Sequence, residues 1–329
     1  MSKITKAILT GGGRATRLRP ITTNLNKHLI PLANKPMIFH AIEKAVEAGI
    51  KEIFINTNPE ETELQKVVGD GSRWGINITY YVQEGGPQGI AHVVNCAKEF
   101  IGSDPFMFYL SDNIILASLR PLFEKFEKEN LDCLIALSKV PDPERFGVPR
   151  FDENDKLVEV LEKPSNPPSD FAVTGIYLFG PDYFKAFATI DKSARGEYEI
   201  PSIFNYFLQN GYKMGHQEIT GWWKDTGKAD DLILANKLLM DTLLSVADNI
   251  KVGKGTHIGD GVKLNGPVMI GANCQLKNCT VGPYVSVGEG STVKDITIQN
   301  SIIFDDTSVS SPPVINDAII GPAASIIPQ

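Results

Sequence analysis

Nothing in the 329-residue sequence reaches the roughly 18 consecutive apolar residues of a membrane-spanning helix, and no signal-peptide pattern opens it, so a cytoplasmic protein with no membrane partner is expected. Cysteine is scarce. Cys96, Cys133, Cys274 and Cys279 form no C-x-x-C pair, and the histidines show no zinc-ligand spacing, which argues against a disulfide framework and against structural zinc. The four cysteines read as small buried residues. With a formal charge of −7, the chain also lacks the broad basic surface that a nucleic-acid partner requires. One further absence is local: from Met1 to His40 there is no Asp or Glu, yet there are seven Lys or Arg. Such a segregated positive field suits a polyphosphate or a sugar phosphate.

That segment begins as an apolar strand, Ala7-Ile8-Leu9, and breaks into Gly11, Gly12 and Gly13, followed by Arg14, Thr16, Arg17, Arg19 and Lys27. Glycines let backbone N–H groups turn toward a ligand at close range. A transit peptide or a nucleic-acid arm would not set a glycine triplet between a strand and prolines. The Gly-x-Gly-x-x-Gly spacing of a dinucleotide fold is missing, because Ala15 and Thr16 stand where glycine is needed, and no P-loop Gly-Lys-Ser/Thr follows.

The chain is long enough for two domains. Strands and helices alternate up to about residue 140: a helix carrying Ile38, Ala41, Ile42, Ala45 and Val46 that stops at Gly49, helices over 60–68 and 89–100, and strands over 51–57, 77–82 and 106–110, the last ending in Ser111-Asp112-Asn113. This alternation predicts an open, mostly parallel mixed α/β sheet of the Rossmann-like kind, with ligands beyond the carboxyl ends of its strands. From 132 to 180 the strands lie closer together and turn-rich loops frame a cleft. Helices resume over 182–188 and 198–209, then a strand over 212–217. The run GWWKDTG next places Asp225 at the start of a long helix with Leu232, Leu234, Ala235, Leu238 and Leu239 as its apolar face.

From Ile250 the sequence repeats. Val252, Ile258, Leu264, Ile270 and Leu276 are six residues apart, a step of five reaches Val281, and sixes resume to Val287 and Val293, with a small residue two positions before the next aliphatic at Thr256, Val262, Val268, Cys274, Val285 and Ser291. This is a hexapeptide repeat. It predicts a left-handed parallel β-helix of roughly four coils, with echoes at Ile320-Gly321 and Ile326 that extend it to the C-terminus. The expected domains are 1–245 and 246–329.

Three constellations could carry chemistry. Asp112 and Asp225 are two carboxylates placed at element ends, and Mg²⁺ typically takes one or two carboxylates plus substrate phosphates. Taken singly, Asp225 reads equally as the cap of the next helix and Asp112 as a loop residue. Glu162-Lys163-Pro164 could set a cation on a sugar phosphate and a carboxylate on sugar hydroxyls, or be a solvated ion pair. Gln83, followed by Gly85-Gly86-Pro87-Gln88-Gly89-Ile90-Ala91, could pair its amide with a pyrimidine edge, or be a polar turn before a helix.

The run Gly12-Gly13-Arg14-Ala15-Thr16-Arg17-Leu18-Arg19-Pro20, with Lys27 to Pro31 and Lys35-Pro36 after it, resembles the GGxGTRLxP signature of sugar-1-phosphate nucleotidylyltransferases, with Ala15 at a position usually Gly. The matches continue in order. Ser111-Asp112-Asn113 is similar to the family's Gly-Asp-Asn, with Ser for Gly. Trp223-Lys224-Asp225-Thr226-Gly227 is similar to its Trp-x-Asp-Thr-Gly, and Glu162-Lys163-Pro164 to its Glu-Lys-Pro. Phe146-Gly147-Val148 and Thr174-Gly175-Ile176-Tyr177 flank the last of these, and Gln83 with Gly89-Ile90-Ala91 looks like the segment that holds uracil or thymine.

The resemblance implies a nucleoside triphosphate, dTTP or UTP, and a sugar 1-phosphate as substrates, Mg²⁺ on Asp112 and Asp225, and a homo-oligomer. Arg17, Lys27 and Lys163 would act on phosphates, and Gly12, Gly13 and Thr16 would lie on the nucleotide. Gly147, Glu162, Thr174, Gly175 and Arg195 would form the sugar-phosphate pocket. Glucose-1-phosphate thymidylyl transfer is the expected reaction, with uridylyl transfer as the alternative. Two other readings stand beside it: an acyltransferase in the β-helix with His257 as its candidate base, and a catalytically silent nucleotide-sugar sensor, suggested by Ala15 and Ser111. If the Ala15 methyl crowds the loop, Ala15→Gly would tighten nucleotide binding.

Overall fold

The computed structural model describes residues 3–13, 15–59, 61–83 and 85–322, and the backbone of 325 and 326. Arg14, residue 60 of the expected helix and the outer ends of both expected domains lie outside these. By internal contacts the chain forms two compact units, one made of Met1–Gly13 with Ala41–Trp223, the other of Arg14–His40 with Lys224–Gln329. No helix of the described residues is long and apolar enough to cross a membrane.

The first unit holds a seven-stranded sheet in the order Met214–Glu218, Cys133–Lys139, Phe171–Phe179, Phe106–Tyr109, Lys6–Thr10, Glu52–Thr57, Asn77–Val82. Only Phe171–Phe179 runs antiparallel to its neighbours; the other pairings are parallel, which makes the sheet mixed and mostly parallel, as expected. Ala7, Ile8, Leu9 and Phe106 to Phe108 are completely buried, because a central strand covered on both faces has no polar side to show. One face carries an aromatic core of Phe106, Phe179, Tyr183, Phe204 and Phe207, each ring contributing roughly 1.5–3 kcal/mol of burial. The expected helix over 89–100 is instead two, Ile90–Cys96 and Lys98–Ile101. At Ala97 the N–H turns to the Val94 carbonyl three residues back, and this tightened turn ends the first helix.

The second unit contains the β-helix. Three short strands form each of four coils, and equivalents stack in parallel: Ile250 on Val268, Val268 on Val285, and Val285 on Ser301. The inward aliphatics Ile270, Leu276, Val281, Val287 and Val293 are buried as the repeat predicts. Leu264 still stacks on Val281, so the five-residue step is absorbed at the corner near Asn278, which takes a left-handed φ of 47°. The echo at Ile326 does not continue the coil: Ser325–Ile326 pairs antiparallel with Ile319–Ile320, so the strand doubles back.

The helix Ala229–Leu243 also differs from expectation. Its buried residues include Leu232, Ile233, Ala235, Asn236, Leu239 and Met240, whereas Leu234 is 40% exposed. The apolar stripe is rotated because a buried Asn lies within it. Asp225 does not begin this helix; it ends the short strand Trp223–Asp225, and Lys228 occupies the cap position.

Candidate active site

In the first unit the glycine triplet leaves the carboxyl end of the central strand. Gly11 donates to the Asn56 carbonyl at 2.9 Å and to Asn56 Oδ1 at 3.2 Å, while Gly13 N–H donates to Asn58 Oδ1 at 3.0 Å and Asn58 Nδ2 donates back to the Gly13 carbonyl at 3.2 Å. The two asparagines, from the end of the neighbouring strand and the loop beyond it, brace the turn. A Cβ on Gly11 would lie 2.5 Å from Leu64 and 2.8 Å from the Asn56 carbonyl, and one on Gly12 2.9 Å from Asn56 Nδ2, so both positions require glycine. Sequence reasoning passed over Asn56 and Asn58. Their signal is the polar run Asn56-Thr57-Asn58 at a strand end on the ligand side of the sheet.

Asp112 follows the strand Phe106–Tyr109. Ser111 before it is fully buried; its N–H donates to Thr10 Oγ1 at 2.9 Å, and its hydroxyl donates to the Thr10 carbonyl at 2.6 Å. A serine at a glycine position is therefore accommodated as a tie between two strand ends. Asn113 Nδ2 donates to Asp112 Oδ1 at 3.1 Å. The Trp223 indole donates to Asn113 Oδ1 at 2.8 Å and to the Thr174 carbonyl at 3.1 Å, so the tryptophan anchors the loop that carries the carboxylate. Thr174 is itself buried, with its hydroxyl on the Ala136 carbonyl at 3.0 Å. Gly175, at φ 76°, packs so closely on Leu110 that a Cβ would approach its side chain to 2.7 Å. Burial, helped by the Asp112 charge, pushes the Tyr109 phenol well above its usual range.

Glu162, Lys163 and Arg195 come together. Gly147 pairs with Glu162 across the antiparallel ribbon formed by Gly147–Phe151 and Leu157–Glu162. Glu162 Oε1 lies 3.4 Å from Lys163 Nζ and 3.2 Å from an Arg195 terminal nitrogen. Lys163 holds a left-handed φ of 46°, and its N–H donates to the Phe146 carbonyl at 2.9 Å. A left-handed Lys costs roughly 1–2 kcal/mol, an outlay typical of residues aimed for function. Two partners were missed from sequence. Glu199 Oε1 accepts from Arg195 Nε at 3.0 Å, from its terminal nitrogen at 2.8 Å and from the Ser193 hydroxyl at 2.8 Å. The hydrogen bond to Glu199 heads the causes that raise the Arg195 pKa above its ordinary value.

Gln83 Nε2 lies 3.0 Å from His92 Nδ1, and the His92 ring stacks on Tyr198 with centroids 6.0 Å apart. Gly89, at φ 93°, lies against Tyr198, whose carbonyl a Cβ would meet at 2.5 Å. Tyr198 N–H donates to the Gln88 carbonyl at 2.8 Å. The stretch from Ser193 to Glu199 therefore touches both the Gln83 loop and the Glu162 group. His92 is a partner of the Gln83 amide.

In the second unit Thr16 and Arg17 are exposed on a short 3-10 turn, and Lys27 begins another, capped by Asn26 through the His28 N–H at 3.0 Å. The Arg17 guanidinium and the Asp225 carboxylate share one locality: the point where a Cβ on Gly227 would stand is 3.1 Å from Asp225 Oδ2 and 3.3 Å from an Arg17 nitrogen. Beside them, Lys224 pairs with the buried Asp231 at 2.8 Å. Ala15 adopts φ 43° and ψ 39°, the left-handed conformation natural to glycine. Ala15→Gly should therefore stabilise the chain by about 0.5–1 kcal/mol, read as a higher denaturant midpoint, and a lower midpoint would show that the methyl contributes packing worth more than the strain.

A glycine turn and a carboxylate at the carboxyl edge of a mostly parallel sheet, with a Glu-Lys-Arg group in the same unit, are the apparatus of a phosphate-handling α/β enzyme. Residues 6–242 match the Nucleotidyl transferase family model. The low-salt glycan biosynthesis nucleotidyltransferase Agl11 of Haloferax volcanii is 39% identical, over 98% of this chain and 93% of that one. A glucose-1-phosphate thymidylyltransferase of Streptomyces griseus is 34% identical, over 96% and 92%. A crystal structure of a Bacillus anthracis protein assigned as a glucose-1-phosphate thymidylyltransferase, in complex with a sucrose, superposes with a TM-score of 0.68 at 39% identity, over 72% of this chain and 95% of that one. The chain belongs to the nucleotidyl transferase family, and it is a nucleotidyltransferase.

Proposed function

We propose that the protein transfers a thymidylyl group from dTTP to glucose 1-phosphate, giving dTDP-glucose and pyrophosphate. The names of several relatives support this reading, and the observation that carries it is the convergence of Glu162, Lys163 and Arg195. Two cations beside one carboxylate suit a sugar phosphate, with the cations on the phosphate and the carboxylate on hydroxyls. Gln83, its amide engaged by His92, faces the edge of a pyrimidine. Arg17 takes the β and γ phosphates and Lys27 the charge around the α phosphate, with Gly12, Gly13 and Thr16 along the nucleotide. Residues 1–245 make up the transferase domain and 246–329 the β-helix domain.

Asp112 and Asp225 offer the hard oxygen donors that Mg²⁺ prefers. Among the described residues no three His, Cys, Asp or Glu side chains gather as a metal site. Bound by these two carboxylates, Mg²⁺ would neutralise phosphate charge. The sugar phosphate oxygen forms the new bond to the α phosphorus as the bond to pyrophosphate breaks. The nucleophile is already an anion, so no side chain has to remove a proton, and the residues act by orienting and neutralising.

Initial rates of pyrophosphate release with glucose 1-phosphate and each of dTTP, UTP, CTP, ATP and GTP test the nucleotide. Thymidylyl transfer predicts dTTP ahead of UTP by about tenfold or more. UTP as the faster substrate would replace thymidylyl by uridylyl transfer.

A further inference from the structure

The segment Arg14–His40, which carries Thr16, Arg17, Lys27 and Lys35, shares its compact unit with the β-helix. The tie is specific. Pro31–Leu32 and Lys35–Pro36 pair as a two-residue hairpin whose tip, Ala33 and Asn34, is left-handed at φ 50° and 58°. Asn34 Nδ2 reaches the carbonyls of two successive coils, Met269 at 3.3 Å and Val287 at 2.9 Å. Ala33 N–H donates to Asn236 Oδ1 at 2.7 Å, and the same oxygen accepts from the Ser286 hydroxyl on the coil at 3.1 Å. Asn236 and Ser286 are almost wholly buried, at 1% and 0% exposure. A polar side chain buried in the stripe of an amphipathic helix is retained only where its hydrogen bonds are met, and here they join the hairpin to the coil.

We propose that Asn34, Asn236 and Ser286 are positioning residues through which the β-helix sets the segment that binds the triphosphate. This rests on the functional reading above for the ligand, and on the contacts alone for the tie. The β-helix then acts in nucleotidyl transfer as the mount for Thr16, Arg17 and Lys27. The hairpin lies a few residues beyond Lys27, and its register on the coils fixes where that lysine and Lys35 begin.

The test uses the full-length chain with Asn34→Gly, which tolerates the left-handed tip, and Ser286→Ala, which removes one hydroxyl from the coil. Coupling of the usual size predicts a rise of about fivefold to tenfold in the KM for nucleoside triphosphate in Asn34→Gly and a smaller rise in Ser286→Ala, with the KM for sugar 1-phosphate within about twofold of wild type. Amide hydrogen exchange across residues 15–36 should quicken in both variants. A purely structural contact would lower the unfolding midpoint while leaving both KM values alone, and that result, or unchanged exchange over 15–36, overturns the proposal. Exchange needs no turnover. A wild-type chain that releases no pyrophosphate from any nucleotide therefore sinks the functional reading, while exchange still decides the tie.

Discussion

Asp225→Asn should lower kcat by about 10²–10³ while the chain stays folded, the cost expected when one charged group is removed from an electrostatically organised site. The substitution keeps size and shape and removes the charge. In the structure the Asp225 carboxylate lies at the end of a strand, in the same locality as the Arg17 guanidinium and before Thr226-Gly227. It does not cap the following helix, whose cap position is Lys228, so its loss should not unwind that helix. Circular dichroism and the unfolding midpoint check the fold, and pyrophosphate release checks the chemistry. Near-normal release by a folded Asp225→Asn would remove this carboxylate from the mechanism.

The second large effect is expected at Arg195. Its guanidinium is held by Glu199 through two nitrogens and by Glu162 through one of them, so the two carboxylates fix the orientation of its plane. Arg195→Ala should raise the KM for sugar 1-phosphate by about 10- to 100-fold, the worth of a charge-assisted pair, with little change in the KM for nucleotide. Arg195→Lys should recover little of this, because an ammonium cannot bond Glu199 and also present a planar face to the ligand. Equal rises in both KM values would instead place Arg195 in general folding of the 193–199 stretch.

What sequence made legible was local. The central strand, the hexapeptide coils and the alternation of the first 140 or so residues are written as periods of hydrophobicity, and the structure contains them. The residues that brace the site are of another kind. Asn58 meets Gly13 across 45 positions, and Asn34 meets Val287 across 253. No periodicity marks such a partner, since a polar residue at a strand end or hairpin tip looks the same in sequence whether it faces water or a glycine turn. The rotated stripe of Ala229–Leu243 has the same origin: Asn236 is counted as polar in a pattern, yet its amide is buried because Ala33 and Ser286 satisfy it. Ala15 and Ser111, the two departures that raised the possibility of a silent sensor, have ordinary physical accounts in a left-handed turn and a strand-to-strand tie.

In the proposed reaction the chain couples loss of pyrophosphate to capture of the nucleotide by a sugar phosphate. Full-length protein supplied with α-labelled dTTP, Mg²⁺ and glucose 1-phosphate measures this directly. Thymidylyl transfer predicts label in a nucleotide sugar in amounts equal to the pyrophosphate released, and no pyrophosphate when glucose 1-phosphate is omitted. Label appearing as free nucleoside monophosphate, or pyrophosphate released without the sugar phosphate, would contradict it.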